Sequence, residues 1–258
     1  MTSEPTILPD NGTPPPAGLP AWPARLLDFF LWLWVLWCVL LVSQFATSPL
    51  VHYFPPGSLA AVAIAGIIGQ IAGLASQIFL LRRVPTLSPR PLDANWMTRR
   101  EAAARGLLDF LIALPLIFVV NLIWNAALVC LHHFQPSLQL SPQNVVLLFF
   151  ENGSPWLLAV LAVIAIFIAP VNEELLFRGG LYRFLKSRCR PHLALAITSL
   201  LFGLAHANLL EFLPLVLIGA LLVRTYERTG RIIAPIVFHA AFNAVNISLI
   251  LLSRTFDW

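Results

Sequence analysis

Residues 156–178 read WLLAVLAVIAIFIAPVNEELLFR. The stretch carries no charge until two adjacent acids, Glu173 and Glu174, which a base, Arg178, follows. A helix of about 20 predominantly apolar residues crosses a bilayer. The stretch therefore predicts a membrane-spanning helix, continuing as an amphipathic helix to Lys186. It also predicts ionisable groups inside the membrane, where each costs at least about 2.5–3.5 kcal/mol on the insertion scale.

The composition of the whole chain also indicates a membrane protein. Of 258 residues, 59% are hydrophobic and only 11% are charged, against about 25% charged in a soluble domain. An ordinary soluble protein and a disordered chain are excluded. Cys38, Cys130 and Cys189 form no CxxC pair, so neither a disulfide scaffold nor a zinc knuckle is indicated. The apolar runs are long and continuous, which favours helices over a barrel.

Seven apolar runs are long enough to be predicted as spans. They cover about 26–46, 58–81, 107–131, 156–178, 191–208, 210–226 and 231–252. The sequence thus predicts an all-α, polytopic membrane helical bundle of about seven transmembrane helices, or eight if one long run is split. The segment 145–150 is too short to span and is expected to be interfacial.

The domain organisation is simple. Residues 1–24 contain seven prolines and no apolar period, so they are predicted to be a disordered tail. Residues 25–258 are predicted to form one membrane-embedded helical domain.

The basic residues predict the orientation of the bundle, because cytoplasmic loops carry an excess of Lys and Arg. The 82–106 loop holds six arginines, whereas the 47–57 and 132–155 loops hold no Lys or Arg. The other basic residues between spans also fall on one side, and they are Arg25, Arg183, Lys186, Arg188, Arg190, Arg224, Arg228 and Arg231. We therefore expect a multi-pass protein with a cytoplasmic N-terminus. The short loops and compact chain suit a bacterial inner membrane. These charges set topology, and no nucleic-acid partner is expected.

Four ionisable groups are predicted to lie deep in the bilayer, namely Glu173, Glu174, His206 and His239. Glu174 and Arg178 are spaced i,i+4 and can pair on one helix face, as can His239 and Asn243. Intramembrane ionisable residues are functional by default. A structural ion pair, packed histidines and an asparagine that joins two helices are the alternative interpretation. The residues alone leave both readings open.

Three motifs resemble those of a known family. Glu173-Glu174-Leu175-Leu176-Phe177-Arg178 resembles the EExxxR motif of the CPBP family, which comprises CAAX-prenyl proteases and bacteriocin-processing (Abi) intramembrane proteases. Phe202 to His206 is similar to its FxxxH motif, and His239 to Asn243 to its HxxxN motif. The resemblance covers roughly 155–252, and the motifs stand in the family's order.

The resemblance implies an intramembrane endopeptidase that uses a glutamate-activated water. Glu173 would be the general base and would hold the water together with His206. His239 and Asn243 would donate to the developing oxyanion. Glu174 and Arg178 would support the helix that carries the base. The implied substrate is a membrane-associated or prenylated protein or peptide, and the lipid bilayer is the other partner.

The sequence leaves alternatives open both for metal dependence and for function. Glu173, His206 and His239 could form a three-ligand zinc site, but no HExxH motif is present, so we expect catalysis without a cofactor. A non-catalytic membrane scaffold or a bacteriocin-immunity-type binding protein is the first alternative. A transporter, with Glu173 as a proton relay, is the other. No inverted repeat of the kind common in transporters is evident.

Overall fold

The computed structural model describes residues 19–51, 53–54, 58–94, 96–138, 140–142, 146–147, 149 and 155–255. Seven long helices and no strand occur in this part of the chain. The helices are α1 (Leu26–Val51), α2 (Leu59–Arg83), α3 (Arg99–Phe134), α4 (Pro155–Lys186), α5 (Pro191–Ala205), α6 (Phe212–Thr229) and α7 (Ile233–Thr255). The predicted all-α bundle with seven helices is confirmed.

Five of these helices, α1, α2, α3, α4 and α7, are long and apolar enough to cross a membrane. The protein is therefore an integral multi-pass membrane protein. Helix α5 has only 15 residues, or about 22 Å of helix. It ends at Ala205, and Ala207 two residues later adopts a left-handed backbone, with φ of 47°. Helix α6 carries charged residues in its last turns. Two of the seven predicted spans are thus shorter or more polar than a full crossing needs.

The start of α3 lies eight residues before the predicted apolar run. Thr98 caps the helix, because its Oγ1 accepts from the Glu101 backbone N–H at 3.3 Å. The Glu101 carboxylate in turn accepts from the Thr98 backbone N–H at 2.9 Å. This reciprocal capping box satisfies two backbone donors that a helix N-terminus otherwise leaves free. The polar first turns of α3 are therefore helical although they are not part of the apolar run.

Helix α4 lies against α2, α5, α6 and α7 and is the central helix of the bundle. It is not a uniform α-helix, since π-helical turns at Ile164–Ile168 and Leu175–Tyr182 flank the α-helical turns Ala169–Glu174. Pro170 is the second residue of the α-helical part. It has no N–H to donate to the preceding turn, which explains a change of bonding there. Wide turns of this kind are frequent at functional sites, and here they bracket Glu173.

An aromatic cluster fixes α4, α5 and α7 around that point. Phe202 and Phe238 are fully buried. The Phe177 and Phe202 rings meet edge to face with centroids 5.1 Å apart, and Phe110 meets Phe238 in the same way at 5.6 Å. Such pairs add about 0.5–1.5 kcal/mol to the burial of their area. The Phe202 ring also meets the His239 ring of α7 edge to face at 5.8 Å, so ring contacts join the three motif-bearing helices.

Three segments predicted to lie on the basic side contact one another in the structure. The Arg183 guanidinium is fully buried and donates to the carbonyl oxygens of Pro20, at 2.7 Å, and Pro89, at 2.9 Å. The Trp22 N–H donates to the Arg183 carbonyl at 3.0 Å. Leu19 and Trp22 are buried as well. The last six residues of the predicted tail are therefore packed onto the bundle. Its residues 1–18 lie outside the described part.

Of the predicted interfacial segment 145–150, residues 146, 147 and 149 are described and are helical. Phe149 is buried and packs in one cluster with Ala63 of α2, Leu161 of α4 and Ile247 of α7. The described part of this segment thus packs against the bundle.

The contact between α3 and α7 depends on Gly106. A Cβ at this position would lie 2.1 Å from the carbonyl oxygen of Ala234, a backbone atom that cannot rotate away. Overpacking of this kind costs about 1–3 kcal/mol. We expect Gly106→Ala to lower the thermal midpoint of the detergent-solubilised protein, measured by intrinsic fluorescence.

Gly66→Ala is the matched control, because nothing lies within 4 Å of the added Cβ and alanine is the better helix former by about 1 kcal/mol. Its midpoint should be unchanged or slightly higher. Equal midpoints for the two variants would contradict the close approach of α3 and α7.

Candidate active site

Three helices bring together three of the predicted residues. Glu173 lies on α4, His206 directly follows α5, and His239 lies on α7. The Glu173 Oε2 atom is 3.9 Å from His206 Nε2 and 3.9 Å from His239 Nε2. The α5 and α7 motifs therefore converge on one carboxylate oxygen.

The other ring nitrogens of both histidines are already engaged. His206 Nδ1 lies 2.8 Å from the Phe202 carbonyl oxygen, and His239 Nδ1 lies 2.8 Å from Glu174 Oε1. A carbonyl and a carboxylate oxygen only accept hydrogen bonds, so each Nδ1 carries the proton. In a neutral ring the Nε2 atom then bears a lone pair. Both Nε2 atoms are thus free to accept on the side facing Glu173.

The predicted ion pair is present and reaches further than one helix. Glu174 and Arg178 side chains are both fully buried, and Arg178 Nη1 donates to Glu174 Oε1 at 2.9 Å. Arg178 Nη2 also donates to the Gly219 carbonyl of α6 at 3.2 Å. Its guanidinium lies 4.4 Å from the Phe202 ring centroid, which adds a cation–π contact. The Arg178 guanidinium therefore holds α4 against α5 and α6. Glu174 connects this guanidinium to the His239 imidazole of α7.

Exposure divides the site into a reachable and a buried half. The side chains of Glu173 and His206 are 23% and 21% exposed, whereas His239 is 5% exposed. Within the described residues, Glu173 Oε2 is a buried atom with no hydrogen-bond partner. Polar groups separated by more than about 3.5 Å are commonly bridged by water. The geometry suits a small hydrogen-donating molecule held between the carboxylate and the two rings.

Asn243 lies on α7, one turn beyond His239. Its Nδ2 atom donates to the Ala165 carbonyl at 2.7 Å, within the first π-helical segment of α4. This bond joins α7 to α4 and satisfies a carbonyl in an irregular turn. The structure therefore places Asn243 beside the site but engaged elsewhere, and its role as an oxyanion donor stays a prediction.

The facing donor atoms of Glu173, His206 and His239 are of the types that zinc binds. Across the described ranges, however, no group of three or more His, Cys, Asp or Glu side chains is placed so that it could hold a metal ion. The expectation of metal-free catalysis remains a prediction.

Sequence reasoning did not predict two neighbours of the site. Glu211, in the short connection between α5 and α6, lies close enough to His206 for their charges to interact. Burial raises the pKa of the Glu211 carboxyl, and His206 opposes that rise. Asn172, directly before Glu173, is hydrogen bonded to Gln70 and Gln77 of α2. The five-residue spacing from His206 could have indicated Glu211, whereas nothing in the spacing links α2 to Asn172.

A protein-family model matches the part of the chain that carries this site. Residues 155–245 match the Rce1-like family model, described as type II CAAX prenyl endopeptidase Rce1-like. An "Uncharacterized 24.3 kDa protein" of Escherichia coli is 41% identical over 97 residues, which are 36% of this chain and 44% of that protein. The resemblance inferred from the three motifs is thereby confirmed for this segment.

Two further relatives are similar to this chain over matches of comparable length. The "UPF0177 protein YbdI" of Lactococcus lactis is 33% identical over 100 residues, 37% of this chain and 50% of that protein. The "Putative membrane peptidase YdiL" of Bacillus subtilis is 30% identical over 84 residues, 33% of this chain and 34% of that protein. The matches thus span half or less of the curated relatives' length. No solved structure matches the chain.

Proposed function

We propose that this chain, whose residues 155–245 match the Rce1-like family model, is an intramembrane endopeptidase that activates water with Glu173. The observation that carries the proposal is the position of Glu173 Oε2, at 3.9 Å from both His206 Nε2 and His239 Nε2. A general base needs to lie within reach of the proton it removes, directly or through one water. A water molecule between the Glu173 carboxylate and the two imidazole nitrogens would lie within this reach.

The reaction that fits this site is hydrolysis of a peptide bond. Glu173 takes a proton from the water, and the water oxygen attacks the carbonyl carbon of the substrate. The tetrahedral intermediate then collapses, the C–N bond breaks, and Glu173 returns the proton to the leaving nitrogen. His206 Nε2 accepts the second hydrogen of the water and orients its lone pair toward the substrate. The products are an amine and a carboxylic acid, which keeps the second hydrogen of the water.

His239, Glu174 and Arg178 form the buried support of this chemistry. For His239 to donate to an oxyanion, both of its ring nitrogens must carry protons. Glu174 at Nδ1 and Glu173 near Nε2 would balance that charge. Loss of one preorganised oxyanion donor typically lowers the rate about 10²–10³-fold. Asn243 completes the donor set if its amide turns from Ala165 to the substrate.

The proposed substrate is a membrane-associated peptide or protein, with prenylated peptides as one class. The match to the Rce1-like family model supports the prenylated class. The five candidate spans support a substrate that reaches the site from the bilayer or its surface. The bacterial sources of the relatives support an inner-membrane location.

The first test is cleavage of two quenched fluorescent peptides, one farnesylated and ending in a CAAX sequence, the other an unprenylated transmembrane peptide. We expect the purified protein to cleave at least one of them, with products identified by mass spectrometry. We also expect the rate to be unchanged after dialysis against 1,10-phenanthroline, because the proposed step uses a carboxylate base.

The outcomes separate the alternatives. Cleavage of neither peptide would contradict the peptidase proposal. Activity that is lost with the chelator and restored by zinc would replace the metal-free mechanism with one in which Glu173, His206 and His239 bind zinc. Preference for the farnesylated peptide would identify the substrate class.

A further inference from the structure

Asn172, which directly precedes Glu173, is held by two glutamines of α2. Gln77 Nε2 donates to the Asn172 backbone carbonyl at 2.9 Å and also to its side-chain Oδ1. Asn172 Nδ2 in turn donates to Gln70 Oε1 at 2.9 Å. Gln70 and Gln77 are seven residues apart, so they lie on one face of α2, about two turns from each other. The side-chain amide of Asn172 is thus fixed from both directions.

The clamp of Gln70, Gln77 and Asn172 is built into the packing of α2 on α4. Gln77 is 4% exposed. Gly73 lies between the two glutamines, and a Cβ there would come within 3.0 Å of Asn172 Nδ2. Because glycine leaves this space open, the asparagine side chain can lie against the α2 backbone. Unpaired amides are costly in an apolar setting, so the contact favours a single arrangement of the two helices.

The clamp holds the residue directly before Glu173, so it can affect the orientation of the base. The second π-helical segment starts at Leu175, and the Leu175 N–H is shared between the carbonyls of Asn172 and Val171. Where the backbone hydrogen bonds are irregular, they fix the rotation of α4 about its own axis less firmly than in a regular α-helix. Since successive residues of a helix are about 100° apart, fixing Asn172 against α2 directs Glu173 away from α2.

We infer that Gln77, assisted by Gln70, is a positioning residue that sets the rotation of α4 so that Glu173 Oε2 faces both histidines. The inference rests on the proposed function, because it concerns the same base. Both glutamines lie outside the matched segment 155–245. The first half of the chain therefore contributes to the geometry of a site whose reacting groups all belong to the second half.

The variant Gln77→Met tests this inference, because it keeps the length of the side chain but removes both donated hydrogen bonds. We expect kcat for the cleaved peptide to fall about 10- to 100-fold, since a displacement of about 1 Å at a reacting group can cost 10²-fold. We expect KM to stay within about twofold, because the side chain contacts Asn172 on α4. The measurement is steady-state cleavage by the purified full-length protein.

Ser76→Ala is the matched control on the same helix. Ser76 Oγ donates to the Gly73 carbonyl of its own helix, at 2.7 Å, so its removal should leave kcat unchanged. A double-mutant cycle with Asn172→Leu then separates positioning from general weakening. If Gln77 acts through Asn172, the double variant should be no slower than the slower single variant.

Each outcome decides the inference. Wild-type kcat in Gln77→Met, or additive losses in the cycle, would overturn it and leave the proposed function intact, provided that Glu173→Gln is inactive. Failure of the wild-type protein to cleave either peptide would defeat the proposed function itself. If Gln77→Met does not fold, Gln70→Met removes one bond only, and its kcat, KM and cycle with Asn172→Leu are judged by the same criteria.

Discussion

Replacing Glu173 with glutamine is expected to lower the cleavage rate by about 10²- to 10⁴-fold, the range that one general base contributes. Glutamine has the same shape but cannot take a proton from water. Glu173 is partly exposed and is not part of the buried Glu174–Arg178 pair. The fold should therefore be retained, and KM should change little. The measurement is turnover of the cleaved peptide, with size-exclusion profile and thermal midpoint recorded on the same sample.

The control for this substitution is Glu101→Gln, at the start of α3. Glutamine at this position can still complete the capping box with Thr98, so activity and stability should both match the wild type. Undiminished cleavage by Glu173→Gln would contradict the base role. If Glu173→Gln and His206→Ala also rescue a deletion phenotype, the protein acts as a membrane scaffold or as an immunity-type binding protein.

The helices of this protein could be predicted from hydropathy because each apolar run is continuous, but their ends could not. Helix α3 begins at Arg99, well before its apolar run, because Thr98 and Glu101 cap each other. The cap follows a sequence pattern, yet hydropathy does not register it. Helix α5 ends early, at Ala205, and Ala207 two residues later has a left-handed backbone. An alanine at this position gives no sequence signal for a left-handed backbone.

The site was predictable where a contact lies within one helix and less so where it joins two. The Glu174–Arg178 pair follows from i,i+4 spacing, and it forms at 2.9 Å. The bond from His239 to Glu174 depends on how α7 packs on α4, and no spacing encodes it. The same holds for Asn243, predicted as an oxyanion donor, whose amide donates to the Ala165 carbonyl of α4. The π-helical turns of α4 change which residues face each neighbour, and only Pro170 hints at them.

Replacing Arg178 with methionine should cause a large loss of stability. The guanidinium and its partner Glu174 are both fully buried, and removing one member of a buried ion pair costs about 3–5 kcal/mol because it leaves a buried charge unpaired. The variant also loses the bond to the Gly219 carbonyl and the contact with the Phe202 ring. We expect a marked fall in thermal midpoint and in folded yield, measured in detergent by fluorescence and size-exclusion chromatography.

Two further variants test whether the buried charge is the cause. Arg25→Met breaks a pair with Asp28 in which Arg25 is 81% exposed, and exposed pairs contribute little, so its midpoint should match the wild type. The double variant Glu174→Met, Arg178→Met removes both charges and should recover much of the lost stability, as apolar replacements of buried pairs often do. It should nevertheless stay inactive, because His239 Nδ1 then has no carboxylate to hold it. A double variant as unstable as Arg178→Met alone would instead attribute the loss to packing around the guanidinium.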